Sequence, residues 1–383
     1  MSDSTIVDVR AVPLTTPYGM PGAQTRRRSA VFVEVETRDG LVGIGETYAG
    51  VYMPELAVEA VRYFRPYLIG RDASLINRLT RDSYWVTSYI GRTGPTVMVF
   101  SAIECALWDL LGKRLGVPVH TLLGGAVHDS LPVYASGGVP TFSTEQLVDQ
   151  AAAVAAEGFA GFKMRANPMT YQPAVEAERV AAVRAAIGPE PLLAIDAVQN
   201  FNLQPWSVKQ VRRLLDALAP SDLAWAEEFL PPFDPAPYAE LRASAAVPIS
   251  GGEGITTAQA FQQWIHAGAF DIAQPDATIV GGISEARRVC DAALAANVKV
   301  AMHVWGSAPT FMANCHVGFA SLNCFILERP VMGNPLDTEM LAEPIVMNEG
   351  RIRPPTAPGL GVVLTEEIKA TYRYEPGSAS PFG

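Results

Sequence analysis

The 383-residue chain has no run of 18 apolar residues, no excess of basic side chains and no Cys-x-x-Cys pair. Each absence removes a class of function. Without a long apolar run, no membrane-spanning helix and no membrane partner are expected. With 29 Lys+Arg against 39 Asp+Glu the formal net charge is −10. The attraction that holds a protein to a phosphate backbone is therefore missing, and no nucleic-acid partner is expected. The opening residues MSDSTIVDVR lack a basic region followed by an apolar stretch, so the reading is a soluble, cytoplasmic protein. Only four cysteines occur, Cys105, Cys290, Cys315 and Cys324, all in apolar segments, and they read as reduced, buried thiols. What is present is globular: 49% hydrophobic and 18% charged residues, in a length that suits a barrel-sized domain plus a smaller one.

Residues 1 to 128 read as an α+β unit. SAVFVEVETRDG alternates Val31, Val33 and Val35 with Phe32, Glu34 and Glu36, turns at Asp39-Gly40 and returns through Val42 and Ile44, which predicts a hairpin. PTVMVFSAIECALWDLLGKRLG follows as a helix, with Pro95 near its start, Gly116 past its end and Val99, Ile103, Leu107, Leu110 and Leu111 at helical spacing. From 129 to 345, short apolar strands alternate with Ala-rich helical stretches, the pattern of repeated βα units. Eight strands are read at 131–136, 160–164, 192–196, 223–227, 248–253, 270–276, 298–303 and 325–328. The predicted fold class is α/β, a (β/α)8-type barrel with an N-terminal α+β capping domain. The Pro/Gly-rich remainder, 346–383, is expected to pack back on the cap.

In such a barrel the working residues stand at the C-terminal ends of the strands. Lys163, Asp196, Glu227, Glu253, Asp276, His303 and Glu328 end seven successive strands, so closure brings them to one mouth. Three buried carboxylates repel one another and demand positive charge. Asp196, Glu227 and Glu253 offer only oxygen, which suits a hard cation such as Mg²⁺. Glu228 is the competing choice. Glu227 is preferred because it shares strand parity with Leu223 and Trp225. Asp276 beside His303 fixes the imidazole tautomer and raises its basicity, as a general base needs. Asp271, at the start of its strand, reads as a stability residue at the opposite end. Lys163 and Arg165 share one face of the second strand: the lysine as base or electrostatic clamp, the arginine as an oxyanion binder. The other histidines, His120, His128, His266 and His316, read as core or surface residues. The stretches Tyr18 to Arg28 and Thr47 to Tyr52 of the cap are expected to close over the mouth. They offer Tyr18, Arg26 and Tyr48 as substrate contacts, with Trp305 as a pocket wall.

These motifs resemble the mandelate racemase and muconate lactonizing enzyme branch of the enolase superfamily over nearly the whole chain. The likeness is carried by SAIECALWDLLGKRLGVPVHTLLGG, FKMR, LLAIDAVQNF, WAEEFLPP, GGEGITT, IAQPDATIVGGISEA, AMHVWGS and PPTAPGLGV, in that order. The resemblance implies an enolase-like fold, Mg²⁺ on Asp196, Glu227 and Glu253, a His303–Asp276 acid/base dyad and Glu328 as a donor or orienting group for substrate. It also implies a homo-oligomer, a dimer or octamer. Two departures matter. Arg165 stands where many relatives carry a second, basic lysine, which disfavours racemisation. Val198 stands where many relatives read Asn, with Gln199 or Asn200 as substitutes. The expected substrate is a small-molecule carboxylate, an acid sugar or its lactone. The expected reaction is α-proton abstraction to an enediolate and dehydration to a 2-keto-3-deoxy acid. A sugar-lactone cycloisomerase is the runner-up, a racemase or epimerase the third reading, and a non-catalytic binding protein of the same fold the rival from another class.

Overall fold

The structure, a computed structural model, describes residues 3–19, 26–202 and 204–378. The segment 20–25, part of the stretch expected to close the mouth, lies outside the described residues. Three antiparallel strands, β1 (Ile6–Tyr18), β2 (Arg26–Thr37) and β3 (Val42–Thr47), form the cap sheet in the order β1-β2-β3. The hairpin β2–β3 follows the valine alternation. Val31, Val33 and Val35 are fully buried on one face against the helices Pro54–Leu68 and Pro95–Leu115. Strand β1 was not legible in the sequence reading, because Pro13 and Pro17 interrupt it. As an edge strand it tolerates prolines that a central strand would not.

Eight parallel strands then close a barrel: β4 (Leu131–Ser136), β5 (Gly161–Arg165), β6 (Leu192–Asp196), β7 (Trp225–Glu227), β8 (Ile249–Gly251), β9 (Ile272–Ala273), β10 (Lys299–Met302) and β11 (Cys324–Pro330). Pairing of β11 with β4 completes the ring. Strand β12 (Arg351–Ile352) adds antiparallel to the start of β4. The chain beyond it reaches the cap, where Thr15 N–H donates to the Tyr372 carbonyl at 2.9 Å and Lys369 pairs with Glu34 at 2.8 Å.

Side-chain alternation builds the mouth. Tyr134, Ala194, Trp225, Ile272, Ala301 and Ile326 pack together inside the ring as one apolar layer. Two residues further along each strand, on the same face of the pleat, stand Ser136, Asp196, Glu227, Gln274, His303 and Glu328. The polar constellation is thus the layer directly above the apolar plug. At the other end, Asp271 accepts from the Ile249 N–H at 2.9 Å and pairs with Arg242 at 2.7 Å, which is a structural role.

The helix Pro95–Leu115 ties cap to barrel. By length and composition it is apolar enough to cross a membrane, but it lies buried inside this molecule. It ends on Gly116, whose φ of 70° is the left-handed geometry glycine adopts freely. Glu104 on this helix accepts from the N–H groups of Ile283 (2.7 Å) and Ser284 (3.1 Å) and from Trp108 Nε1 (2.8 Å). It thereby caps the barrel helix Ile283–Ala295, which has no side-chain cap of its own. Asp109 accepts from the N–H groups of Ile44 (2.9 Å) and Leu360 (2.7 Å) and pairs with Lys113 at 2.7 Å. His120 and His316 stack in the same seam, centroids 5.4 Å apart. Burial pushes His316 down to about 3, so that ring is neutral. All four cysteines are free and buried.

Candidate active site and metal centre

The mouth gathers the seven strand-end residues. Asp196, Glu227 and Glu253 each present one carboxylate oxygen, and these oxygens lie within 4.8 Å of one another. The donor set is oxygen only and crowded, with Asp196 and Glu227 buried and Glu253 partly exposed. Burial and the neighbouring Glu227 charge push Asp196 up to about 8, and burial with Glu227 raises Glu253 as well. Asp196 Oδ1 accepts from the Val198 N–H at 2.8 Å, while its Oδ2 is 3.9 Å from Arg165 and 4.0 Å from Lys163, beyond hydrogen-bond reach. Such a set fits a hard divalent cation.

Glu227 turns into the ring. Its Oε1 accepts from Lys163 Nζ at 2.5 Å, and its Oε2 from Gln274 (2.7 Å) and the Trp225 indole (3.0 Å). Glu228 stands at φ 46°, accepts from Asn200 Nδ2 at 2.6 Å and keeps its other oxygen buried without a partner. Burial, with Glu253 and Asp196 close by, pushes its carboxyl well up. Lys163 also pairs with Glu328 at 2.9 Å. Burial opposes its charge, but Glu227 and Glu328 hold the ammonium well above its usual range. In return, against its own burial, Glu328 is held down to about 2 by Lys163 and His303. Glu328 Oε2 accepts from the Val304 N–H at 3.0 Å. In this arrangement it accepts as a carboxylate.

His303 Nδ1 lies 2.9 Å from Asp276 Oδ2. Asp276 is in turn held by the Thr278 N–H and hydroxyl, both at 2.7 Å, and by Asn314 at 3.0 Å. An acceptor at Nδ1 places the hydrogen there and leaves Nε2 facing Glu253, 3.2 Å away. Burial works against protonation of this ring, yet Glu253 and Asp276 push it up to about 10.

Around the mouth, Trp305 is partly exposed, with the Arg165 guanidinium 4.3 Å from its ring centroid and Arg28 at 5.4 Å. Tyr18 meets Trp305 edge-on at 6.2 Å and keeps a buried hydroxyl without a partner. Tyr48 stands edge-on to His303 at 6.3 Å, its hydroxyl 3.4 Å from that of Tyr52. Arg26 is exposed at the start of β2, and Arg27 pairs with Glu375 at 2.7 Å. Arg28, not Arg26, is the arginine buried at the mouth, because it lies one pleat deeper on the same strand face. Sequence reasoning also missed Gln274, although strand parity two residues before Asp276 marks it. It missed Asn314 and Glu46 as well, which reach the site from a helix and from the cap.

Two family profiles match: "Mandelate racemase / muconate lactonizing enzyme, N-terminal domain" over residues 2–124 and "Enolase C-terminal domain-like" over residues 146–368. The chain belongs to the mandelate racemase and muconate lactonizing enzyme family of the enolase superfamily. It is 32% identical over 371 residues to the D-galactarolactone cycloisomerase of Agrobacterium fabrum, covering 94% of this chain and 95% of that one. It is 30% identical to the L-talarate/galactarate dehydratase of Salmonella typhimurium, covering 94% and 87%. Among solved structures, a racemase from Streptomyces coelicolor with bound magnesium superposes with a TM-score of 0.84 at 28% identity, covering 96% of this chain and 99% of that one. Enzymes of this family with such names act as lyases and isomerases, and the present chain is an enzyme of the same superfamily.

Proposed function

We propose that the enzyme removes the proton α to the carboxylate of an acid sugar and expels a β-hydroxyl, giving a 2-keto-3-deoxy acid. The observation that carries this reading is the asymmetry of the mouth. One imidazole, oriented by Asp276, faces the acid trio, while the opposite strand offers an ammonium locked between two carboxylates and an arginine. Racemisation needs a proton-transferring group on each face, and Arg165 does not give up its proton. With Glu253 engaged as a metal ligand, the charge that raises His303 would be offset; the neutral ring then takes the α-proton at Nε2, and the same nitrogen returns it to the β-oxygen, so that water leaves and the enol tautomerises to the ketone. Asp276 holds the tautomer through both steps. Lys163 acts as a clamp: its fixed charge sits beside the acid layer and favours the anionic form of the reacting carboxylate.

Asp196, Glu227 and Glu253 would hold Mg²⁺, which when bound supplies positive charge to the substrate carboxylate as the enediolate develops. Arg165 and the Tyr18 hydroxyl offer free donors to substrate oxygens, Tyr48 covers the imidazole from the cap, and Trp305 walls the pocket. The setting is a soluble, cytoplasmic enzyme of carbohydrate-acid breakdown, assembled as a homo-oligomer. A second reading, ring opening of a sugar lactone, is favoured by the partly exposed Trp305 plane, which suits the flat face of a ring. The test is to incubate the protein with Mg²⁺ and galactarate, galactonate or galactarolactone, and to follow the products by mass and by carbonyl derivatisation. Loss of water with a new keto group supports dehydration, and ring opening at constant mass moves the assignment to cycloisomerase. No change in any acid sugar or lactone across a wider screen overturns both.

A further inference from the structure

Resting on His303 as the proton-transferring group, we propose that Arg28 and Glu46, both from the cap, are positioning residues that fix the loop on which His303 stands. This loop leaves β10 at His303 and ends at Ser307, where the helix Ala308–Ala320 begins. The barrel holds its start, through the Pro275 carbonyl on the His303 N–H at 3.1 Å and Glu328 on the Val304 N–H. The cap grips it twice. Arg28 Nη2 donates to the Trp305 carbonyl at 2.8 Å, and Glu46 accepts the Ser307 N–H with both oxygens, at 2.8 and 3.1 Å. Glu46 also accepts from the Thr310 hydroxyl at 2.8 Å.

Ser307 does not cap this helix with its own side chain, and its hydroxyl is engaged by Asn334 at 3.2 Å. A helix start leaves N–H groups unpaired and carries a positive dipole end, so a buried carboxylate from the cap satisfies both. Glu46 is buried, and both its oxygens are occupied by loop and helix donors. The guanidinium of Arg28 lies 5.2 Å from the Tyr18 ring centroid and 5.4 Å from that of Trp305. Neither group touches the reacting atoms; both act through the backbone of the loop.

Glu104 supplies the contrast. It plugs the neighbouring helix Ile283–Ala295 in the same way, but that helix starts well beyond Asp276, which Thr278 and Asn314 already hold. The cap therefore fixes the far half of the His303 loop, at Trp305 and Ser307, while the barrel holds the start of that loop and the Asp276 carboxylate.

The test labels the five histidines of the full chain with ¹⁵N and assigns the His303 ring by its loss in His303→Asn. Glu46→Gln and Arg28→Met are expected to shift or broaden the His303 ring signals while those of the exposed His266 stay put, and Glu104→Gln is expected to leave the His303 signals in place. With an acid sugar turned over by the wild type, the two cap variants should lose roughly tenfold to a hundredfold in kcat at unchanged KM. Glu46→Asp, which keeps the carboxylate, should recover part of that loss. His303 signals unmoved in folded Arg28→Met and Glu46→Gln overturn the proposal, as does a rise in KM with kcat retained, which makes these residues substrate contacts. If Glu46→Gln does not fold, Arg28→Met and Glu46→Asp decide by the same signals. Absence of any turnover by the wild type removes the proton-transfer reading alone, since the imidazole signals still decide where the ring is held from.

Discussion

The barrel mouth and the seam between cap and barrel both bury carboxylates, and the two sets are partnered differently. In the seam, Glu104, Asp109 and Glu46 each meet backbone N–H groups, supplemented by an indole, an ammonium or a hydroxyl. At the mouth, Asp196 has one oxygen beyond hydrogen-bond reach of its nearest cations, and Glu228 keeps one without a partner. Burial raises the acids in both places, Asp196 to about 8 and Glu104 to about 7. Buried charge by itself therefore does not mark the working site. Three carboxylates from adjacent strands whose oxygens crowd within 4.8 Å set the mouth apart from the seam.

Replacing one acid in each region breaks the comparison open. Asp196→Asn has the largest expected effect. It should lower turnover at least about 100-fold and abolish the rise in melting temperature that Mg²⁺ gives the wild type, while the metal-free variant is no less stable because it relieves like-charge crowding. A melting series with and without Mg²⁺ checks this, and a variant that keeps the full Mg²⁺ shift would remove Asp196 from the metal set. In the seam, Glu104 should respond through stability alone. Glu104 is raised to about 7 in the folded protein from an ordinary 4.5, so the folded state holds its proton more tightly than the unfolded chain. That contribution is complete below the unfolded value and is lost as pH rises through the folded one, an effect of about 3 kcal/mol. Denaturant melts at acid and mildly alkaline pH should show the wild type losing ground to Glu104→Gln as pH rises, with the Mg²⁺ shift intact in both. A pH-independent difference would contradict the assignment.

Much of this was legible in the residues because a barrel strand is short and its side-chain period is two. Parity with Trp225 places Glu227 over the apolar plug, and the same rule carries Asp196, His303 and Glu328 to the mouth. Gln274 obeys it too and was missed only because an amide carries no charge to draw attention. Arg28 was blurred with Arg26 and Arg27, since a run of three arginines does not reveal which one the strand carries inward. Glu46 and Asn314 had no local signal. Their partners, Ser307 and Asp276, lie far along the chain, and only the packing of cap and helix on the barrel brings them together. Val198, where the resemblance led to the expectation of Asn, stands at a φ of 40°, a left-handed geometry unusual for a β-branched residue.

The most direct measurement is deuterium uptake from D₂O at the carbon next to the carboxylate of an acid sugar, followed by proton NMR. Wild-type protein with Mg²⁺ should incorporate deuterium at that carbon in recovered substrate, or at the deoxy carbon C3 of the keto acid, whose C2 carries no hydrogen, and both chelation of the metal and His303→Asn should suppress it by about 10²- to 10⁴-fold. Uptake that persists unchanged after chelation, or in the His303→Asn protein, would contradict the account.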